Sequence, residues 1–366
     1  MQPIDARYMR AALRLAARGL GRTHPNPAVG AVIVARGEII GRGYHARCGL
    51  PHAEAVALAR ARGSTRGADL YVTLEPCGHF GRTPPCADAI VAAGIARVFY
   101  GCPDPNPITA GKGLATLRAH GIVVRQGPLE DEARRFNAPY LHWVAERRPL
   151  VTAKWAMTLD GKIATRAADS RWISGEASRR IAHRLRNEVD AVMVGTGTVL
   201  ADDPELTCRL RGGRTPLRVI LDRRGRIPLD ARVFTTLRAG PVLVYTANAG
   251  RARTLAARGI EAALVAPARA GISIDGVLRD LGARGIHHLL LEGGATLLGA
   301  FFDARRIDRV VAFVAPKLAG GARAPAPIAG AGVKKMDDAP VLAVTRMARV
   351  GSDLVWWADM PPRDRL

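Results

Sequence analysis

The chain has 366 residues, 48% of them apolar, a length and composition that favour two packed domains over a single core. It contains no run of about 18 uncharged apolar residues. The amino-terminal Met-Gln-Pro-Ile-Asp-Ala-Arg carries no signal-peptide apolar region, and five scattered cysteines make no disulfide framework, so a cytoplasmic protein without membrane contact is expected. The formal net charge of +22 invites nucleic acid as a partner, but the arginines are spread without a basic tail and aromatic residues make up only 5%. We read the excess as compositional bias plus a preference for anionic small molecules, with no nucleic acid.

The spacing of Tyr8, Ala12, Leu15 and Ala16 predicts a helix over 7–19, ended by Gly19 and Gly21. A rigid polar loop, Thr23-His-Pro-Asn26-Pro, follows. Gly30–Val34 reads as a buried strand that turns at Arg36-Gly37 into a second, Glu38–His45. Both lead to His52-Ala-Glu54, at the start of an alanine-rich helix expected over 52–62, where the helix partial charge is positive.

After a strand over 70–74 comes Glu75-Pro-Cys77-Gly-His-Phe-Gly-Arg-Thr-Pro-Pro-Cys86, with Cys86 entering a helix at 87–93. One imidazole and two thiolates supply three ligands to a tetrahedral Zn²⁺ and leave a position for water. Water held there loses its proton near neutral pH, and Glu54, two residues past His52, can carry protons between it and a leaving amine. His-x-Glu with Pro-Cys is the pattern of zinc nucleobase deaminases. A lone His-x-Glu is usually a solvated helix turn and two cysteines often only pack, so the reading rests on their joint occurrence. The insertion between Cys77 and Cys86 is long enough to contact substrate, whereas Cys48, Cys102 and Cys208 lack a partner motif and read as packing residues.

Strands over 97–102 and 122–126, with helices between, complete a βαβ series and predict parallel later strands. Asp104-Pro-Asn106-Pro follows a strand, and reads equally as a loop over a bound ring or a proline-rich turn. A helix over 129–145 ends in Glu146-Arg-Arg-Pro149, which places the domain boundary between 1–147 and 148–366.

The second half restarts with a strand over 150–157 and loops containing Thr158-Leu-Asp160-Gly-Lys162 and Ser170-Arg-Trp172. A helix over 175–187 and strands over 191–195, 217–222, 242–245, 288–291 and 310–315 follow, and 341–359 reads as extended. Gly195-Thr-Gly197 begins like a dinucleotide fingerprint, but Leu200 stands where the third glycine belongs. Leu291-Glu292-Gly-Gly294 leading into a helix suits phosphate binding, or is a plain strand-to-helix turn.

Taken together these residues resemble the bifunctional riboflavin-biosynthesis deaminase/reductases, across essentially the whole chain and in the family's order. The resemblance is carried by Asn26-Pro-x-Val-Gly-Ala, His52-Ala-Glu, Thr73-Leu-Glu-Pro-Cys77 through Pro-Pro-Cys86, Asp104-Pro-Asn-Pro, Leu159-Asp-Gly-Lys-Ile-Ala, Asp169-Ser-Arg-Trp-Ile, Leu200-Ala-Asp-Asp-Pro and Ala315-Pro-Lys-Leu. It implies an α/β protein with a cytidine-deaminase-like three-layer αβα domain and a dihydrofolate-reductase-like α/β domain. The implied reactions are hydrolysis of the 2-amino group of a phosphoribosyl diaminopyrimidinone, then reduction of the ribose of the aminouracil to ribityl with NADPH.

The resemblance places one zinc per chain on His52, Cys77 and Cys86, and proton transfer on Glu54. It lines the pyrimidine pocket with Asn26, His45, His79, Asp104 and Asn106, and Arg82 stands where many relatives have Lys. Ala156, Trp172, Thr198, Asp202, Gly294, Ala295, Thr296, Leu297, Leu298, Gly299 and Ala300 correspond to cofactor positions. Ser170, Arg186, Leu206, Arg209 and Glu292 correspond to substrate positions, the arginines suiting a sugar phosphate. Arg223 stands where a small hydroxyl residue often meets the cofactor, and is assigned hypothetically to its 2′-phosphate. Chemically, a ribosylamine can open to an imine whose C1′ accepts hydride. Lys154, Asp160 and Lys162 are nearby polar candidates for the proton, or structural ion pairs. A homodimer or homotetramer is implied.

Three rivals compete with this reading. One is a nucleic-acid deaminase with an appended domain, which predicts a basic groove. Another makes the second half a non-catalytic nucleotide sensor. The third leaves one domain inactive.

Overall fold

The structure, a computed structural model, describes residues 6–80, 84–268 and 271–361. The chain divides into two compact units, Met1–Arg147 and Arg148–Leu366.

The first unit is a five-stranded sheet between two helical layers. Its strands are β1 (Gly30–Ala35), β2 (Glu38–Tyr44), β3 (Asp69–Val72), β4 (Arg97–Tyr100) and β5 (Val123–Gln126), in the order β2-β1-β3-β4-β5. β1 runs antiparallel to β2 and β3, while β3, β4 and β5 are parallel. Alternation along β1 explains the layers. Ala31 and Ile33 pack toward helices α2 (Ala53–Ala59), α3 (Cys86–Ala92) and α4 (Lys112–Ala119), whereas Val32 and Val34 meet α1 (Ala6–Ala16). Helix α5 (Glu130–Glu146) packs Ala133, Tyr140 and Val144 against Leu74 and Cys102.

Helix α2 lies close on β2 because Gly41 and Gly43 present no side chain to it. A Cβ on Gly43 would stand 2.1 Å from the Ala53 carbonyl oxygen, and one on Gly41 2.5 Å from that of Ala57. The helix is shorter than the alanine run suggests. Beyond Ala59 the Arg62 N–H leaves the helical ladder and donates to the Ile40 carbonyl, 2.9 Å away.

The second unit holds a nine-stranded sheet with helices on both faces. Its strands are β6 (Leu150–Thr158), β7 (Ala191–Gly195), β8 (Leu217–Leu221), β9 (Val242–Thr246) and β10 (Glu261–Leu264), a short ribbon β11 (Pro267–Ala268) with β12 (Gly271–Ile272), then β13 (His288–Leu291), β14 (Arg309–Ala315), β15 (Ala343–Val350) and β16 (Asp353–Asp359). The sheet order is β10-β9-β8-β7-β13-β6-β14-β16-β15, parallel from β10 to β14 and antiparallel at β16 and β15.

Along β7, Ala191 and Met193 face the cluster containing α10 (Ile274–Ala283) and α11 (Ala295–Asp303). Val192 and Val194 face the cluster containing α7 (Thr196–Asp202), α8 (Arg232–Thr235) and α9 (Ala249–Ala256), with Leu185 of α6 (Glu176–Glu188) against its edge. Hydrophobic residues on both faces are what a buried parallel sheet requires. The segment read as extended over 341–359 is two strands joined at Gly351, whose φ of 63° a glycine adopts freely. Among the described residues, no helix is long and apolar enough to cross a membrane.

Candidate active sites

In the first unit the ends of β2, β3 and β4 and the loop before β1 surround a cavity of about 340 Å³. His52 is the residue preceding the first turn of α2, in extended conformation, and Cys86 opens α3. His52 Nδ1 lies 3.2 Å from Cys86 Sγ and 3.6 Å from Cys77 Sγ, and the three donor atoms all fall within 4.8 Å of one another. Ligands of a tetrahedral zinc, with bonds of about 2.3 Å to sulfur and 2.0–2.1 Å to nitrogen, stand roughly 3.6 Å apart from N to S and 3.8 Å from S to S. The triangle therefore fits that ion. The Cys86 backbone N–H donates to Cys77 Sγ at 3.4 Å, and the Cys86 and His52 side chains lower the Cys77 pKa, as a thiolate ligand needs.

Glu54 stands beside this triangle, lines the cavity and is only 3% exposed. Burial first, then the Cys77 sulfur, pushes its carboxyl pKa up.

Asn26, His45, His79, Asp104 and Asn106 all line the same cavity. Asn26 Nδ2 lies 3.1 Å from His45 Nε2, and His45 Nδ1 is 3.2 Å from the Pro51 carbonyl. The Asp104 carboxylate accepts the Asn106 N–H at 2.9 Å and the Tyr140 hydroxyl at 3.1 Å. Thus Asp104-Pro-Asn-Pro is both a turn and a wall of the cavity. Arg82 lies outside the described residues.

Motif reading passed over Glu75 as a site residue. Its carboxylate accepts the Gly111 N–H at 2.6 Å and the Asp104 N–H at 3.3 Å, tying the Asp104 loop to the loop after β3 that carries Cys77. Tyr140 and Trp143 also line the cavity from α5, with no local signal in sequence. Cys48, expected as a packing residue, lines it too.

In the second unit a cavity of about 460 Å³ lies where β6, β7 and β13 end. Ala156, Ser170, Trp172, Arg186, Thr198, Asp202, Leu206, Arg209, Glu292 and Gly294 all line it. The turn after β7 and the turn after β13 clasp each other, for the Gly294 N–H donates to Thr198 Oγ1 at 3.1 Å. Neighbouring parallel strands ending at paired βα turns are where open α/β sheets bind ligands. Gly195-Thr-Gly197 thus joins the site through Thr198, without a dinucleotide fingerprint.

Arg186 grips Glu292 with two bonds, Nε–Oε1 at 3.0 Å and Nη2–Oε2 at 2.7 Å. The Arg186 and Lys154 charges outweigh burial and hold the Glu292 pKa at about 2. Of the three polar candidates, only Lys154 lines the cavity, and burial lowers its pKa. Asp160 instead accepts the Thr158 hydroxyl at 2.5 Å and the Gly320 N–H at 2.7 Å, and Lys162 Nζ donates to the Ala324 carbonyl at 3.3 Å. Those two order neighbouring loops.

Ala295, Thr296, Leu297, Leu298, Gly299 and Ala300 form the first turns of α11, beyond the lining glycines. Leu298 is in the core, and Gly299 is where the helix meets the chain at Ala329, since a Cβ there would be 2.1 Å from its carbonyl oxygen. Arg223 follows β8 outside the cavity lining. Its backbone carbonyl accepts the Ala247 N–H at 3.1 Å. Arg171, Arg179, Glu205 and Arg232 line the rim and were not singled out in the sequence.

A His/Cys/Cys triangle with a buried glutamate on this sheet defines a zinc-dependent deaminase unit, and the second sheet carries a pocket of the size and polarity a nucleotide-using reductase needs. Residues 2–102 match the family of the cytidine and deoxycytidylate deaminase zinc-binding region, and residues 149–356 match the RibD C-terminal domain. The riboflavin biosynthesis protein RibD of Aquifex aeolicus is 42% identical over 97% of this chain and 98% of its own length, and that of Bacillus amyloliquefaciens 44% identical over 95% and 94%. Among solved structures, the diaminohydroxyphosphoribosylaminopyrimidine deaminase/5-amino-6-(5-phosphoribosylamino)uracil reductase of Thermotoga maritima superposes with a TM-score of 0.87 at 39% identity, covering 97% of this chain and 98% of that one. Acinetobacter baumannii RibD gives 0.87 at 37% identity, with the same coverage. The chain belongs to the RibD family, the bifunctional deaminase/reductases of riboflavin biosynthesis.

Proposed function

We propose that His52, Cys77 and Cys86 hold one zinc ion per chain and that Glu54 moves the protons of the deamination. The observation that carries this is the donor triangle with a buried carboxyl at its side. Bound there, zinc supplies an acidified water and a positive charge next to the ring carbon. Glu54 takes the proton released as oxygen adds to that carbon and returns it to the departing amine, so one water is consumed and one ammonia released. Asn26, His45, Asp104 and Asn106, fixed by their mutual bonds and by Glu75, orient the pyrimidine edge.

In the second cavity we propose that Thr198, Asp202, Ala156, Trp172 and the Gly293-Gly294 turn bind NADPH. Ser170, Arg186, Leu206, Arg209 and Glu292 would then bind the aminouracil ribosyl phosphate. The cofactor supplies hydride to C1′. Lys154 is the titratable side chain of this lining placed to hold a proton there, beside a Glu292 carboxylate that Arg186 keeps ionised, and the cationic rim draws in two anionic ligands. The position of Arg223 outside the lining argues against a direct part in cofactor choice, and an Arg223→Ser variant is expected to keep its preference for NADPH over NADH.

The test is to supply the diaminopyrimidinone phosphate with and without NADPH and to follow ammonia release and cofactor oxidation separately. Ammonia without NADPH, and oxidation only after ammonia, is the expected result. Oxidation preceding ammonia would overturn the assignment of order and sites.

A further inference from the structure

Helix α6 presents His183 and Arg186 three residues apart, hence on one face, toward the segment Leu206–Arg209. Three contacts bind that segment to the helix. Arg186 Nη1 donates to the Thr207 carbonyl at 3.1 Å, Cys208 Sγ donates to the His183 carbonyl at 3.4 Å, and Arg209 Nε donates to His183 Nε2 at 3.2 Å. The Arg209 backbone N–H also approaches His183 Nδ1, at 3.4 Å. A neutral imidazole has one nitrogen lone pair to offer, so only one of these can be a full hydrogen bond. The shorter one, from the charged guanidinium, is the stronger.

Arg209 is otherwise an exposed side chain at the cavity rim, and a flexible arginine gains most from an acceptor that fixes its fork. We infer that His183 is a positioning residue for the reductase: as a neutral acceptor it holds the Arg209 guanidinium in place for the phosphate of the substrate. The inference rests on the reading of Arg209 as a phosphate contact.

The surroundings of His183 keep it in the required form. Facing it are Arg186 on its own helix, Arg209 on the clamped segment, Lys154 on β6 and Glu292 after β13. Burial first, then Arg186 and Arg209, lower its pKa to about 4, against a smaller opposing effect of Glu292. The imidazole is therefore held in its neutral, accepting form near neutral pH.

The experiment compares His183→Leu, which removes the acceptor, with His183→Gln, whose amide oxygen replaces it, in the full-length protein. With the aminouracil ribosyl phosphate, His183→Leu is expected to raise the reductase KM about three- to tenfold, as loss of one hydrogen bond would, with kcat within about twofold. His183→Gln should recover most of the loss, and the dephosphorylated nucleoside should show no difference among the variants. In an Arg209→Ala background, His183→Leu should add nothing, because the two act as one unit. An unchanged KM in His183→Leu, or effects that multiply in the double variant, would overturn the inference. If Arg209→Ala itself left KM unchanged, the phosphate reading beneath it would fail as well. A loss of thermal stability with KM intact would assign His183 to packing alone and also overturn it.

Discussion

The Glu54 carboxyl reaches the His52, Cys77, Cys86 triangle from the first turn of the helix that His52 precedes, and it is not one of the three donors. A Glu54→Gln variant should therefore bind stoichiometric zinc while ammonia release falls by about 10²–10⁴-fold, the usual contribution of a positioned general acid and base. Reduction of supplied aminouracil should persist. Zinc content by elemental analysis beside the two assays checks this, and retained deamination would exclude the role. These four residues were readable because their chemistry is local, with each side chain sitting in a short motif at a strand end or helix start. Glu75, Tyr140 and His183 were not readable as site residues, and Lys154 was readable only as one of three polar candidates. Their roles depend on partners brought close by the fold, as when Tyr140 meets Asp104 across 36 positions.

Helix α2 owes its place to two missing side chains. Gly43→Ala would set a methyl group 2.1 Å from the Ala53 carbonyl oxygen, backbone that cannot yield without moving the helix. Overpacking of this kind costs about 1–3 kcal/mol or more, and here the displaced turn carries Glu54 and adjoins His52. We expect lowered zinc content and a deamination rate reduced by at least about tenfold, with the reductase rate held. Equal zinc and equal rates in the variant would show that the contact relaxes without cost.

The order of elements was legible from hydrophobic period, but their ends were not. The alanine run promised a helix to Arg62, and the Arg62–Ile40 pairing ends it sooner. The second unit's β10, Glu261–Leu264, went unread, since its burial is half-hearted at the sheet edge and Leu264 is exposed.

Across the molecule the two chemistries answer to different reagents. A strong chelator should stop ammonia release and leave NADPH oxidation on supplied aminouracil unaffected; loss of both would contradict the assignment of metal to the first unit alone. Acid should act on the second unit. His288, half-buried at the start of β13, is bonded to Thr152 at 2.9 Å, and its pKa is lowered from 6.5 to about 3 by desolvation, then by Arg309. That of Glu292 is lowered from 4.5 to about 2. Both folded values lie below the unfolded ones, so stability is highest above pH 6.5 and 4.5 respectively and drains away as pH falls from those unfolded values down through the folded ones. The melting temperature should decline from about pH 7 to pH 5, and His288→Gln should flatten that slope because the glutamine takes up no proton. An unaltered slope would assign the acid sensitivity elsewhere.

The reductase cavity has a further consequence in its lining, which holds six basic side chains against four carboxylates. Added potassium chloride shortens the reach of that field, to about 10 Å at 0.1 M and 3 Å at 1 M. Capture of the two phosphorylated reactants should weaken with ionic strength while the hydride step, once both are seated, keeps its pace.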